Sequence, residues 1–314
     1  MTVTKAGYGP AISGLHHVTA ISGAPQSNLD FYIGTLDQRL VKRTVNFDDP
    51  GTYHLYYGDR DAAPGSIMTF FPFVDAGPGR AGAGMASAVA YAVPDLDAAM
   101  ESLASKAIDF ESPFERMGES GIALRYPDGM RIEMIEGGLR DGAFHSVTLW
   151  LADIASTAVV LEAIGYHRDG EEAVATGGTS GTEHRVRYRS GLGERASFVD
   201  LITSDARSIG RPGAGTIHHV AFRASSPEEQ LDWRKRLDAI GMDVTPVIDR
   251  QYFDAIYFRT PGGVLFEIAT DPPGFAVDED AAHLGEALKL PGKYEPIRDR
   301  IERVLPPIRL PEAA

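Results

Sequence analysis

Leu15-His16-His17-Val18-Thr19 is matched 202 residues downstream by Ile217-His218-His219-Val220-Ala221. Between them, Ser87-Ala88-Val89-Ala90 and Phe144-His145-Ser146-Val147-Thr148 take the same place in a repeating pattern. Each stretch reads as a short strand, followed by a helical segment and then by alternating strands. Three of the four runs finish on a glycine turn and a last strand. These are Pro64-Gly65-Ser66-Ile67-Met68-Thr69-Phe70, Asp128-Gly129-Met130-Arg131-Ile132-Glu133 and Pro261-Gly262-Gly263-Val264-Leu265-Phe266-Glu267. The third run closes near Gly193 to Ile202, with Ser197 as the nearest match to the final position. The period predicts an α+β fold of four βαβββ modules, each of roughly 50 to 60 residues.

The helices are signalled unevenly. The fourth module has Ser226 as N-cap, Pro227 at the first helical position, Glu229 three after the cap and Gly241 as a stop. Asp95 caps the second helix, and Gln26 to Leu36 is helix-like in the first module. Taking two modules to a domain gives domains over 12–138 and 143–272, with the boundary near Gly137 to Gly142 and a loop from Thr203 to Gly215. Residues 273–314 form a C-terminal strap with one helix, Tyr294 to Leu305, halted by Pro306-Pro307.

Aligning the modules on one another exposes the chemistry. The position before Val18, Val89, Val147 and Val220 holds His17, Ala88, Ser146 and His219 in turn. The position four after the closing glycine holds Thr69, Glu133 and Glu267. Modules one and four together therefore offer two histidines and a carboxylate, with Thr69 as fourth occupant. Two neutral imidazoles and one carboxylate are the ligand set that leaves open positions on non-haem Fe(II); Mn(II) accepts the same set. Glu267 lies in an apolar strand, where an unpaired carboxylate is costly unless a cation neutralises it. His145 falls one residue before the ligand position and is expected to point away from it. Glu133 has the register of a ligand but no histidine partners, so its expected role is structural. His54, His167, His184 and His283 fall outside these positions and receive no role.

Composition bounds the rest. A net charge of −14 over 314 residues argues against nucleic-acid binding, which needs a basic face. No apolar run approaches the roughly 20 residues of a membrane helix, and Met1 to Pro10 lacks the features of a signal peptide. The absence of cysteine excludes thiolate ligands and thiol nucleophiles. A cytoplasmic enzyme is expected.

The module pattern resembles the vicinal oxygen chelate superfamily of glyoxalases, extradiol dioxygenases and antibiotic-resistance proteins. More narrowly, the runs Gly14 to Thr19, Thr44-Val45-Asn46-Phe47-Asp48-Asp49-Pro50-Gly51-Thr52-Tyr53-His54-Leu55-Tyr56-Tyr57-Gly58-Asp59, Asp249-Arg250-Gln251-Tyr252-Phe253 with Ile256 to Arg259, and Phe266 to Phe275 resemble the hydroquinone ring-cleaving dioxygenases. The resemblance implies two domains with curved mixed sheets, with module one meeting module four around Fe(II). It implies a dihydroxylated aromatic and O2 as reactants, and a homo-oligomer. It also assigns roles around the metal. Arg250 and Tyr257 would contact the substrate or the oxygen species, and His16, His218 and Thr19 would stand beside the ligands. Tyr257, His16 or His218 would move protons. A glyoxalase-type isomerase or lyase, or a non-catalytic binder of an aromatic or an antibiotic, is the alternative. Thr69, where such isomerases carry a fourth acidic ligand, speaks against the first.

Overall fold

Every module contributes one strand, a helix and three further strands. Module one comprises β1 (Leu15–Ser22), α1 (Pro25–Leu29), β2 (Arg39–Val45), β3 (Tyr53–Gly58) and β4 (Ile67–Pro72). Module two has β5 (Met85–Val93), α2 (Leu96–Ser105), β6 (Phe114–Arg116), β7 (Glu119–Arg125) and β8 (Arg131–Glu136). Module three has β9 (Phe144–Trp150), α3 (Ile154–Ala163), β10 (Tyr166–Thr176), β11 (Gly181–Ser190) and β12 (Phe198–Ser204). Module four has β13 (Thr216–Ala224), α4 (Pro227–Ala239), β14 (Ile248–Asp249), β15 (Phe253–Arg259) and β16 (Leu265–Pro273). The structure, a computed structural model, describes residues 11–137, 142–176, 181–190, 198–204 and 208–310. Ser197, most of the expected boundary, part of the 203–215 loop and the Met1 to Pro10 segment lie outside the described residues.

The strands form two mixed sheets of eight, β14-β15-β16-β13-β1-β4-β3-β2 and β10-β11-β12-β9-β5-β8-β7-β6. Inside each module the opening strand pairs in parallel with the closing strand. Its other edge is left with unpaired backbone groups, a template for a further strand. Those edges are closed between modules: β1 pairs antiparallel with β13, and β5 with β9. Hydrogen bonding therefore joins module one to module four and module two to module three. The sheets cut across the sequential division at 12–138 and 143–272.

Gly65, Gly129 and Gly263 adopt φ of +87°, +94° and +97°, a conformation that a Cβ disfavours. The same backbone turn thus precedes three of the four closing strands. Along β1, Val18 and Ala20 enter a core shared with Trp233 and Leu237 of α4, while His17, Thr19 and Ile21 line a cavity on the other face. The period-2 alternation of the strand sets this division.

Ser226 caps α4 by accepting from the Glu229 N–H, and Asp95 caps α2 through the Ala98 N–H. Where one helix was expected from Tyr294 to Leu305, a turn of 3-10 helix (Glu295–Ile297) precedes α5 (Arg298–Val304). The strap crosses β2, where buried Lys42 reaches Asp278 at 2.7 Å and Glu279 at 2.5 Å. Tyr294 Oη donates to the Phe47 carbonyl at 2.7 Å, so the strap also braces the loop after β2. Among the described residues no helix is long and apolar enough to cross a membrane.

Candidate metal centre

His17 on β1, His219 on β13 and Glu267 on β16 converge where the first sheet curls. His219 Nε2 lies 2.9 Å from Glu267 Oε2, His17 Nε2 lies 3.3 Å from the same oxygen, and the two Nε2 atoms are 3.4 Å apart. Ligands at about 2.0–2.2 Å from one cation, on the same side of it, are separated by distances of this size. Despite this closeness, neither carboxylate oxygen of Glu267 finds a partner in hydrogen-bond geometry, and the group is fully buried. Buried carboxylates are ordinarily hydrogen-bonded, so an orphaned one facing two imidazole nitrogens fits a divalent cation. These three residues are the metal-capable group found among the described residues. Burial by itself would raise the Glu267 carboxyl; the facing His17 and His219 rings outweigh it and hold it below the usual carboxylate range.

The neighbouring histidines are aimed by a pair of matching bulges. Opposite β13, β1 carries one extra residue between Leu15 and His17, which is His16. Opposite β1, β13 carries one extra residue between Ile217 and His219, which is His218. A bulge re-aims its side chain and breaks the strict alternation of faces. His16 Nδ1 thereby comes to 2.9 Å from His17 Nδ1, and His218 Nδ1 to 2.7 Å from His219 Nδ1. Ligation through Nε2 would put the proton of His17 and His219 on Nδ1. Each would then donate to the histidine before it, which would fix the ring orientation. In that arrangement His16 and His218 would accept and be neutral. Burial, with the adjacent His17, lowers His16 to about 3. His218 is the exposed residue of its strand, yet partial desolvation of its ring and then the adjacent His219 lower it to about 4.

A cavity of about 440 Å³ opens beside the three ligands, walled by aromatic rings including Phe71, Phe73 and Phe253. Thr19, His218, Arg250 and Tyr257 line it; His16 does not. Tyr257 pairs directly with Glu267 across β15 and β16, a register the hairpin sequence leaves open. Arg250 Nε donates to the Tyr257 hydroxyl at 3.2 Å, and its Nη1 reaches Asp48 at 3.1 Å. Burial and the nearby Glu267 charge push the Tyr257 hydroxyl above its ordinary range, so it keeps its proton.

His54, given no role from the sequence, lines the cavity from β3. Its Nε2 lies 2.8 Å from Thr69 Oγ1, and its Nδ1 accepts or donates at 2.8 Å with the Tyr56 hydroxyl. The alternation of His54 with Tyr56 was the available signal, but β3 is not one of the strands that the repeat comparison aligns. Thr69 is also 2.9 Å from Thr19 Oγ1, so its hydroxyl is engaged away from the metal ligands.

The second sheet repeats the frame without the metal chemistry. Thr19 pairs with Thr69, Ala90 with Glu133, Thr148 with Asp200 and Ala221 with Glu267. The occupant in module three is therefore Asp200, where the sequence pointed to Ser197. No glycine stands four residues ahead of Asp200, which is why the register was missed. Glu133 is held by Arg116 and by Arg131 at 2.9 Å. Asp200 is held by Arg185 at 2.9 Å and Arg187 at 2.8 Å. Guanidinium groups thus neutralise the carboxylates here. His145 is the extra residue of a bulge in β9. It lies 3.1 Å from Ser146 Oγ and from Glu119, repeating the His16–His17 contact with serine in place of a ligand.

A model of the Glyoxalase/Bleomycin resistance protein/Dioxygenase superfamily matches residues 14–134 and 159–268. A Bacillus subtilis (strain 168) protein named as a ring-cleaving dioxygenase, MhqO, is 44% identical over 95% of this chain and 97% of its own length. The chlorohydroquinone/hydroquinone 1,2-dioxygenase of Sphingobium indicum is 33% identical over 94% of this chain and 96% of its own. A crystal structure described as a dioxygenase from Bacillus subtilis superposes with a TM-score of 0.86 at 42% identity, covering 97% of this chain and 100% of that one.

Proposed function

The chain belongs to the Glyoxalase/Bleomycin resistance protein/Dioxygenase superfamily, and on that premise we propose that it is an Fe(II)-dependent dioxygenase opening a hydroquinone-type ring with O2. The observation that carries this reading is the His17–His219–Glu267 cluster, which offers three ligand atoms, with no fourth acidic ligand grouped with them among the described residues, beside an aromatic-walled cavity. Bound there, Fe(II) would supply electron transfer between triplet dioxygen and a closed-shell ring, and Mn(II) fits the same donors. The names of the relatives at 44% and 33% identity support ring cleavage and a hydroquinone substrate.

The protein's own groups divide the remaining work. The phenyl rings exclude water and stack with a planar substrate. Tyr257, protonated and opposite Glu267, holds the proton to be moved. Arg250, fixed between Asp48 and Tyr257, sets a permanent positive charge where negative charge develops on oxygen. His16 and His218, as neutral acceptors, orient the ligands. A diphenol and dioxygen are then the partners, without nucleic acid or membrane, in keeping with the charge of −14. A cytoplasmic location and self-association belong to the same reading.

Thr69 disfavours the isomerase, because its hydroxyl is already shared by His54 and Thr19. The test is anaerobic reconstitution with Fe(II), then oxygen uptake with hydroquinone, methylhydroquinone, catechol and chlorinated analogues. Uptake with a para-diphenol, equimolar with substrate consumed, is expected. An iron-loaded protein that consumes no oxygen with any of them would move the assignment to the isomerase.

A further inference from the structure

Besides Tyr257 and Arg250, the cavity is bordered by the polar groups of Thr19, His54 and Tyr56. Tyr56 Oη, His54 Nδ1, His54 Nε2, Thr69 Oγ1 and Thr19 Oγ1 form a continuous hydrogen-bonded chain with steps of 2.8, 2.8 and 2.9 Å. Thr19 and Thr69 are fully buried, and Tyr56 is 1% exposed. Each hydroxyl in this chain carries one hydrogen, and a neutral imidazole carries one N–H. Burial, then the neighbouring His17 and His219, hold His54 well below the ordinary histidine range, so it is neutral. Where Thr69 spends its one hydrogen on Thr19, fixing the direction of the Tyr56–His54 bond fixes the direction of the others.

The Tyr56–His54 bond sets that direction. A phenolic hydroxyl donates better than it accepts, because its oxygen lone pair is delocalised into the ring, while a bare imidazole nitrogen is a strong acceptor. With Tyr56 donating to Nδ1, the N–H of His54 lies on Nε2 and points to Thr69. Thr69 then donates to Thr19, and the Thr19 hydrogen is left free. Thr19 borders the cavity on the same face of β1 as His17. Hydrogen bonds in such a chain polarise one another, which strengthens the terminal donor.

We infer that His54, steadied by Tyr56 and acting through Thr69, is a positioning residue that holds the Thr19 hydroxyl as a donor to a deprotonated oxygen of the bound diphenol. The inference rests on the ring-cleavage reading and adds a determinant of specificity to it. A ligand is favoured when it can present an anionic oxygen to Thr19 and disfavoured when that oxygen is alkylated. It also gives Thr69 a purpose at a position where a carboxylate would compete for the metal.

The experiment follows the ionisation of a bound coloured ligand rather than turnover. The full chain is loaded with Zn(II), which is colourless and redox-inert, and titrated with nitrohydroquinone. The visible band of the nitrophenolate reports the pH midpoint of the bound dye. His54→Leu and Thr69→Val are each expected to raise that midpoint by about one unit, a tenfold loss in preference for the anion. His54→Gln should restore it, since a side-chain amide N–H can occupy the place of Nε2–H. The double variant should shift the midpoint no further than either single one, because both interrupt the same chain. Midpoints unmoved in folded His54→Leu and Thr69→Val, or shifts that add, would overturn the inference. Should His54→Leu fail to fold, the isosteric Thr69→Val decides alone. If the unaltered protein binds no nitrohydroquinone, the ring-cleavage reading falls and takes this with it. Tight binding with unmoved midpoints removes this inference only.

Discussion

Tyr257 and Glu267 face each other across β15 and β16 as a directly paired couple, and Arg250 bonds the tyrosine hydroxyl from the cavity side. A protonated hydroxyl and a buried carboxylate are thereby set on one hairpin, with the Arg250 guanidinium brought to them from the turn before β15. β16 is paired on its other edge with β13, which carries His219.

Removing that one hydroxyl isolates its role. Tyr257→Phe is expected to lower kcat by about 10²-fold, the lower end of general acid–base contributions. Iron content should stay near one per chain, because the tyrosine is not a ligand. Steady-state oxygen uptake and metal analysis check both, and full turnover in this variant would take the proton-moving role from Tyr257.

The metal should stabilise the fold. An ion present at about 100 times its dissociation constant contributes about 2.7 kcal/mol by mass action, and Glu267 loses its compensating charge when the ion is stripped. Chelation is expected to lower the melting temperature and abolish oxygen uptake, with both restored by Fe(II). Glu267→Gln should bind iron weakly and show no melting response to chelator. A wild-type melting curve indifferent to chelation would speak against the site.

Thr69→Glu tests the open side of the metal. The carboxylate would sit on the strand beside His17, where it can complete a fourth protein ligand. Iron should still bind, while oxygen uptake falls by at least tenfold because a position needed by the reactants is taken. Iron-loaded Thr69→Glu with wild-type uptake would show that Thr69 does not border the reactive positions.

Acid sensitivity is expected from the second sheet. Burial would raise Glu133, but hydrogen bonds and charge from Arg116, then charge from Arg131, hold it at about 2, below its ordinary 4.5. A carboxyl depressed in the folded state stabilises fully above the unfolded value and loses this as pH falls through 4.5 toward 2. The shift corresponds to stability on the order of 3 kcal/mol for this buried group. Urea unfolding at pH 7, 4 and 3 should show a decline that Glu133→Gln flattens. The same variant should be less stable at pH 7 by about 3 kcal/mol, since two arginines lose their partner. An identical pH slope in both proteins would remove Glu133 from the cause.

How much of this was legible depended on whether a residue sat on an aligned strand. His17, His219 and Glu267 stood at matching repeat positions, and the φ > 0 glycines Gly65, Gly129 and Gly263 marked the register. Asp200 lacked that glycine and was misplaced to Ser197. His54 lies on β3, which has no aligned counterpart of known role, so no comparison within the chain could single it out. His16 and His218 reach their ligands only because bulges break the alternation, and a bulge depends on how two strands pair rather than on either strand's residues.

By itself, the sequence determined the four-module α+β pattern and the residue types able to hold a metal, because strand period and turn chemistry are local properties written into neighbouring residues. Only the tertiary structure decided that β1 pairs edge to edge with β13, that arginines fill the frame built by the other two modules, and that Tyr257 faces Glu267. Register and bulges come from how two backbone edges meet, as between Leu15 and Phe222, and edge hydrogen bonds are made by groups that nearly every residue carries.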